Sequence, residues 1–377
     1  MGESRQEKAS LYGKKMPTKV AYLFGAGASQ GELSYGDAPK SILMQAIADG
    51  IALKMSREPY RRLRVVSNDL VEGINIEDLI TLYEMSGTRE YSEIAEKLKT
   101  LFRNEIEETI GQLGGSFTPA LFTALIDMHS ISRLGEELVL ILTTNYEDLI
   151  EKAMQLVKGG INYSIKTICT ADYYRIKEDG VPILKLHGSF NWKNSYPIRV
   201  QKKIRKEKDI IWIPPGVVKK RQYYPFDVVW GRARELLECD TLRIIGCSLS
   251  RNDWELVSLV HTTQKLRTDR KAPYMIELID FPDQCEEIKK QHGYLKIKTI
   301  LEIPEVRQFL IRTYLPSYID AEEVPEERIE GVAKYLDKEN IFALWLRAKG
   351  EKLYYDRVPI RTRKRYFEKF ILRGLGL

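Results

Sequence analysis

Apolar positions run unbroken from Leu138 to Leu142 and give way at Thr143, Thr144 and Asn145 to small polar residues. A continuous run of this kind suits a strand at the centre of a parallel sheet, where both faces are covered. Leu149, Ile150, Ala153, Met154 and Val157 then repeat with the period of a helix lying on one side of that sheet. Thr143 to Asn145 therefore fall at the carboxyl edge of a strand, where open α/β sheets bind their ligands. Thr144 and Glu147 also have the spacing of a capping box, which would do no more than start the helix.

The same pattern recurs along the chain. Lys19–Phe24, Val181–Leu186, Thr241–Ile245, Tyr274–Asp280 and Leu295–Ile300 read as core strands, with Tyr163–Ile168 and the short Ile210–Ile213 as further candidates. Phe226–Leu237 is an amphipathic helix, and Arg251 to Asp253 open another that carries Trp254, Val257 and Val260. From Pro39 to about Ser132 the period turns helical, as at Ile76, Leu79 and Ile80 and again at Ile94, Leu98, Leu101 and Phe102, with a break near Gly111–Ser116. A helical insertion at about 39–132 would form a lid or wall at the carboxyl edge. Residues 1–16 form a polar tail, 17–303 the main domain and 304–377 a helical region. The fold class is α/β: a Rossmann-like parallel sheet with a helical insertion and a C-terminal helical appendage.

Composition changes this picture little. The chain has 377 residues, 44% hydrophobic and 30% charged, as in an ordinary soluble protein, with no apolar run long enough to span a bilayer. Met1–Lys15 lacks the apolar centre of a secretory signal, so a cytoplasmic location is expected. Cys169, Cys239, Cys247 and Cys285 form no CxxC pair and are expected to be reduced packing residues. The net charge of +6 is concentrated at the end, where Arg357, Arg361, Arg363, Lys364, Arg365, Lys369 and Arg373 face only Asp356 and Glu368. The basic run from Arg199 to Lys208 reads as a solvated loop.

Four strand tips end on small or polar residues: Gly25–Ser29 (GAGAS), Thr143–Glu147 (TTNYE), Lys185–Ser189 (KLHGS) and Ile245–Leu249 (IGCSL). The first, almost without side chains, lets backbone N–H groups approach an anion closely. It is no P-loop, since Asp37 and Ala38 follow Gly36 where Lys and Ser/Thr would be needed, and its third glycine, Gly31, falls one place late for a dinucleotide fingerprint. Asp280 ends another strand, suited to a ribose hydroxyl pair or to capping the next helix. Two strand ends that offer Asn145 and His187 suggest a site. His129 and His261 on helices, and His292 in a turn, read as structural.

In that order the four motifs resemble the sirtuin-like family, and specifically its bacterial branch of NAD-degrading proteins used in defence against phage, over roughly Lys19 to Ile300. The resemblance implies that Gly25, Ala26, Gly27 and Ser29 hold the pyrophosphate of NAD. It places Gly246, Ser248 and Asp280 along the adenosine side, with Thr144 and Glu147 in the same binding set. Asn145 would contact the nicotinamide and its ribose or position water, and His187 would engage that ribose and assist catalysis. Glu147 stands where the family usually has Asp. The implied reaction is hydrolysis of NAD to ADP-ribose and nicotinamide without a metal. Cleavage expels a neutral group from a pyridinium cation, so the acid of ordinary glycosidases is dispensable. The implied partners are further copies of the chain and a HerA-type ATPase, which would supply any nucleic-acid contact; no membrane is expected. Two other readings stand beside this one. A deacylase or ADP-ribosyl transferase would use the same fold, although the zinc cysteines of true sirtuins are missing. A non-catalytic nucleotide-binding module would grip nucleic acid through Arg361–Arg365.

Overall fold

The computed structural model describes residues 16–57, 64–114, 117–131, 134–170, 174–216, 223–314, 336 and 340–355. The polar N-terminus and the basic C-terminal tail lie outside these residues. The first strand, β1 (Thr18–Phe24), turns at Gly25 into α1 (Ala26–Tyr35). The insertion follows as α2 (Met44–Met55), α3 (Arg64–Val71), α4 (Ile76–Met85) and α5 (Arg89–Gly111). The chain returns through α6 (Ala120–Met128) to β2 (Glu136–Thr143), whose tip feeds α7 (Leu149–Lys158). Five short strands come next: β3 (Ile168–Thr170), β4 (Ile183–Lys185), β5 (Gly188–Lys193), β6 (Ile198–Val200) and β7 (Ile210–Trp212). After α8 (Phe226–Leu236), the alternation of β8 (Thr241–Ile245), α9 (Trp254–Asp269), β9 (Met275–Ile279), α10 (Pro282–Gln291) and β10 (Ile297–Thr299) is regular. The last described elements are α11 (Pro304–Tyr314) and α12 (Ile341–Tyr355).

Six strands form one parallel sheet in the order β10-β9-β8-β1-β2-β4. Counted along the chain this is 3-2-1-4-5-6, the doubly wound Rossmann order, which reverses direction between β1 and β8. Tyr22, Leu23, Phe24, Leu140, Ile141 and Ile244 are fully buried because helices cover both faces. The crevice at the reversal is where such a sheet binds a ligand.

One expectation about the strands needs correction. Residues 163–168 are not a strand: the Asn162 carboxamide oxygen accepts the Ser164 N–H at 2.7 Å, and Ser164 turns the chain with φ of +58°. The strand begins only at Ile168. The chain leaves the first sheet at His187. Gly188, at φ +76°, reverses it into β5, part of a second sheet ordered β3-β6-β5-β7. A Cβ at Gly188 would sit 2.4 Å from the Ile211 carbonyl oxygen. Within the basic run, Lys202, Lys203, Arg205 and Lys206 are exposed, as a solvated loop requires.

The insertion has its own apolar cluster, built from residues such as Ile51, Met55, Ile80, Leu98 and Phe102, and it closes on Phe190 and Trp212 of the second sheet. In contrast, α6 belongs to the main core: the buried Glu32 carboxylate accepts the Leu121 and Phe122 N–H groups at 3.1 and 2.9 Å. The C-terminal helix α12 is equally integrated. Its Phe342 packs between Phe24 and Phe122, and Trp345 meets Tyr22 edge-on at 6.1 Å. Beneath Trp345, the buried Arg243 guanidinium bonds Glu136 at 2.6 and 2.7 Å and Glu277 at 2.7 Å, while Lys349 of α12 pairs with Glu305 at 2.9 Å. No helix among the described residues is long and apolar enough to cross a membrane.

Candidate active site

The tips of β1 and β8 interlock. Gly25 and Gly27 donate their N–H groups to the carbonyl oxygens of Ile245 and Gly246, at 3.1 and 2.8 Å. Gly246 adopts a left-handed φ of +58°, and a Cβ there would lie 2.1 Å from the Ala28 nitrogen. A Cβ at Gly27 would come within 2.7 Å of the Gly246 Cα. The glycines are thus required by backbone-to-backbone contact, a cause the motif alone did not disclose. Ala26, exposed at the N-terminus of α1, and Gly27 still face the cavity beside them.

The β2 tip is held by a chain of directed hydrogen bonds. The Asn145 amide nitrogen donates to the Gly25 carbonyl oxygen at 2.9 Å and to Ser29 Oγ at 2.8 Å. Ser29 in turn donates to Glu147 Oε1, and Glu147 Oε2 accepts the Leu149 N–H at 2.8 Å. Carbonyl and carboxylate oxygens only accept, so every donor in this chain is determined. Both Asn145 N–H groups are committed, and its Oδ1 is the atom left to serve a ligand. The Glu147 carboxylate thus bridges Ser29 and the start of α7. Thr144 and Glu147 form no capping box; the helix starts two residues after Glu147, with Asp148 at its N-cap. The fully buried Lys185 braces the tip from β4 by donating to the Glu147 carbonyl and pairing with Glu151 at 2.8 Å.

His187 lies where the chain passes from one sheet to the other. Its carbonyl accepts the Ile213 N–H at 2.8 Å, and its ring lies 6.3 Å from that of Tyr146. Tyr146 is itself fixed: it stacks on Phe190 at 5.0 Å and donates its hydroxyl to the Ile213 carbonyl at 2.8 Å. His187 Nε2 lies 2.8 Å from the Asp253 carboxylate, and both side chains are buried. Of the other histidines, His129 bonds the Tyr22 hydroxyl at 2.8 Å and is pushed down to about 3 by burial, and His292 bonds the Leu249 carbonyl at 2.8 Å. Both serve the scaffold.

These tips surround one cavity of about 940 Å³. Gly25, Ala26, Gly27, Thr144, Asn145, Glu147, His187, Gly246, Ser248 and Asp280 all line it. Ser29 does not: it is fully buried behind the wall, and its contact is with Asn145 and Glu147. That corrects its expected place against a bound pyrophosphate. Asp280 accepts the Phe281 N–H at 2.8 Å, but burial outweighs this bond and pushes its carboxyl up to about 6. The cavity also includes residues that no motif marked. Asp253 arrives from the start of α9, Asn75 and Glu77 from the insertion, and Asn340 and Phe342 from the start of α12. Asp253, five positions after Ser248 and just beyond a strand tip, carried a signal; Asn340 carried none. Cys247 stands in the wall, and Cys239 and Cys285 are buried. No group of three or more His, Cys, Asp or Glu among the described residues is arranged to hold a metal.

The sheet order and a cavity at its reversal define a Rossmann-type α/β protein with a ligand site at the carboxyl edge. Residues 139–300 match the SIR2-like domain family, a segment that includes Asn145, His187, Gly246, Asp253 and Asp280 but not the GAGAS turn. No curated protein matches the chain. Among solved structures, similarity extends to one described by the mechanism and regulation of Sir2 enzymes, at 13% identity over 74% of this chain and 94% of that one, TM-score 0.29. It also extends to two variants of a Sir2 homologue in complex with ADP-ribose, at 13% and 14% identity over 94% of this chain and 99% of theirs, with TM-scores of 0.35 and 0.36. The sheet order, rather than these remote likenesses, carries the fold assignment.

Proposed function

We propose that this protein hydrolyses the nicotinamide glycosidic bond of NAD, giving ADP-ribose and nicotinamide. One observation carries the reading: Asn145 and His187, from two different strand tips, line a single cavity with the interlocked tips of β1 and β8 at the sheet reversal. Charge accounts for the division of labour. The positive end of α1, at Ala26, suits a pyrophosphate, while Asp280 suits the hydroxyls of a ribose.

In the reaction the bond between ribose C1′ and the pyridinium nitrogen breaks, and its electron pair leaves with nicotinamide, which departs neutral. Water adds to the resulting oxocarbenium-like carbon and surrenders a proton. Asn145 Oδ1 accepts a hydrogen bond from that water or from a ribose hydroxyl, and the imidazole of His187 takes the proton. No carboxylic acid is needed on the leaving side.

Incubation with NAD, followed by chromatography of nicotinamide and ADP-ribose, tests this. Asn145→Ala and His187→Ala are each expected to lower release by about 100-fold or more. Release that is unchanged in both variants, or a wild-type chain that neither consumes NAD nor binds ADP-ribose, would overturn it. Asp280 supplies a second check. The free protein keeps the Asp280 proton up to about pH 6, whereas hydroxyl donors require the ionised carboxylate. Affinity for ADP-ribose, measured calorimetrically, is therefore expected to rise as the pH climbs through about 6 and to level off above it. Asp280→Asn should flatten that rise.

The reading extends, on the motif resemblance alone, to antiphage defence by NAD depletion, with the chain acting as a homo-oligomeric effector beside a HerA-type ATPase. Sizing the chain with and without such a co-expressed partner tests this extension. A monomer indifferent to the partner would remove it and leave the hydrolase reading standing.

A further inference from the structure

We propose that Asp253 is a positioning residue that acts through His187: it fixes which ring nitrogen carries the proton and holds the ring at the cavity wall. The kinetic side of this inference rests on the hydrolase reading, whereas its structural side does not.

A carboxylate can only accept a hydrogen bond. With Asp253 Oδ2 2.8 Å from Nε2, the proton of a neutral His187 ring belongs on Nε2, and the lone pair is left on Nδ1. The carboxylate also forgoes an easier role. Asp253 is the N-cap residue of α9, where an aspartate ordinarily accepts an N–H of the first helical turn, yet its side chain makes no capping bond. It is only 4% exposed, and burying a carboxylate is costly unless it has a partner.

The loop that delivers Asp253 is braced on several sides. The Leu249 carbonyl, on a residue held at φ +48°, is bonded by His292 at 2.8 Å. The Asp253 N–H donates to the Ser250 carbonyl at 2.9 Å. The Asn252 amide reaches Glu77 and Asp78 of the insertion, each at 3.3 Å. On the other side, His187 is fixed through its carbonyl and through Gly188, which has no room for a side chain. Two rigid segments thus meet at one imidazole–carboxylate contact on the cavity wall. This arrangement orients a base, the function a carboxylate serves behind a catalytic histidine.

The test uses the full-length chain. With only four histidines, long-range nitrogen–proton NMR resolves the His187 ring, and wild type is expected to show the Nε2–H tautomer. In Asp253→Asn the new amide can donate to Nε2, and the ring should move to the Nδ1–H form. In the same variant the kcat for nicotinamide release should fall by about 100-fold or more while KM stays near wild type, and Asp253→Glu should recover part of the loss. A folded Asp253→Asn protein with the wild-type tautomer overturns the proposal, as does a tautomer change that leaves kcat untouched. If wild type consumes no NAD but the tautomer switches, the positioning role holds and the hydrolase reading fails.

Discussion

Gly246→Ala is expected to cost about 3 kcal/mol or more in stability and to eliminate ligand binding, although it adds a single methyl group. Two effects act together. The backbone at Gly246 is left-handed, a conformation that any side chain disfavours. The new methyl would also lie 2.1 Å from the Ala28 nitrogen, an atom held in the first turn of α1 that cannot swing aside. Relief requires the tips of β1 and β8 to part. Parting them breaks the Gly27 bond to Gly246 and moves Gly25, to which the Asn145 amide is anchored. Thermal melting and ADP-ribose titration would report both losses. Gly231→Ala provides the contrast: that helical glycine has open space around its would-be Cβ, so alanine should be neutral or stabilise by up to about 1 kcal/mol. A Gly246→Ala protein that melts and binds like wild type would refute the interlock.

Arg243→Ala is expected to destabilise the protein by about 3–5 kcal/mol, measured by urea titration. Arg243 is 2% exposed and neutralises Glu136 and Glu277 while lying between the rings of Tyr22 and Trp345. Its removal leaves the buried Glu277 and the half-buried Glu136 without their main partner. The same network predicts acid sensitivity. Burial alone would raise Glu136, but Arg243 more than reverses this and holds it at about 2; Lys349 does the same for Glu305. Because both pKa values lie below those of the unfolded chain, their contribution is complete above about pH 4.5 and is lost as the pH falls towards 2. Docking of α12 depends on both groups, so Trp345 fluorescence should change over that interval. A wild-type-like denaturation midpoint in Arg243→Ala would show that the network is dispensable.

Much of the sheet was legible because its strands are buried on both faces, and only continuous apolar runs satisfy that condition. β1, β2, β8 and β9 appear within a residue or two of where the runs place them. β5 was hidden because Ser189 and Asn191 are polar yet buried, and a glycine that reverses the chain looks like one that ends a strand. The candidate site was legible in its strand tips and less so in their causes. A run of glycines announces a close approach without saying whether a phosphate or another backbone is approached. An aspartate at a helix start looks like a cap, so the bond between Asp253 and His187 could not be inferred. Asn340, whose amide reaches the Gly31 carbonyl from 309 positions away, illustrates the limit of local pattern.

That last contact has a consequence for how the molecule comes into being. The opening strand and the final described helix both wall the same chamber, and the β8 tip must arrive before the first turn can take its shape. A chain emerging from a ribosome therefore holds no complete chamber until the start of α12 has been synthesised. Fragments lacking the β8 tip or α12 would lack part of the chamber wall.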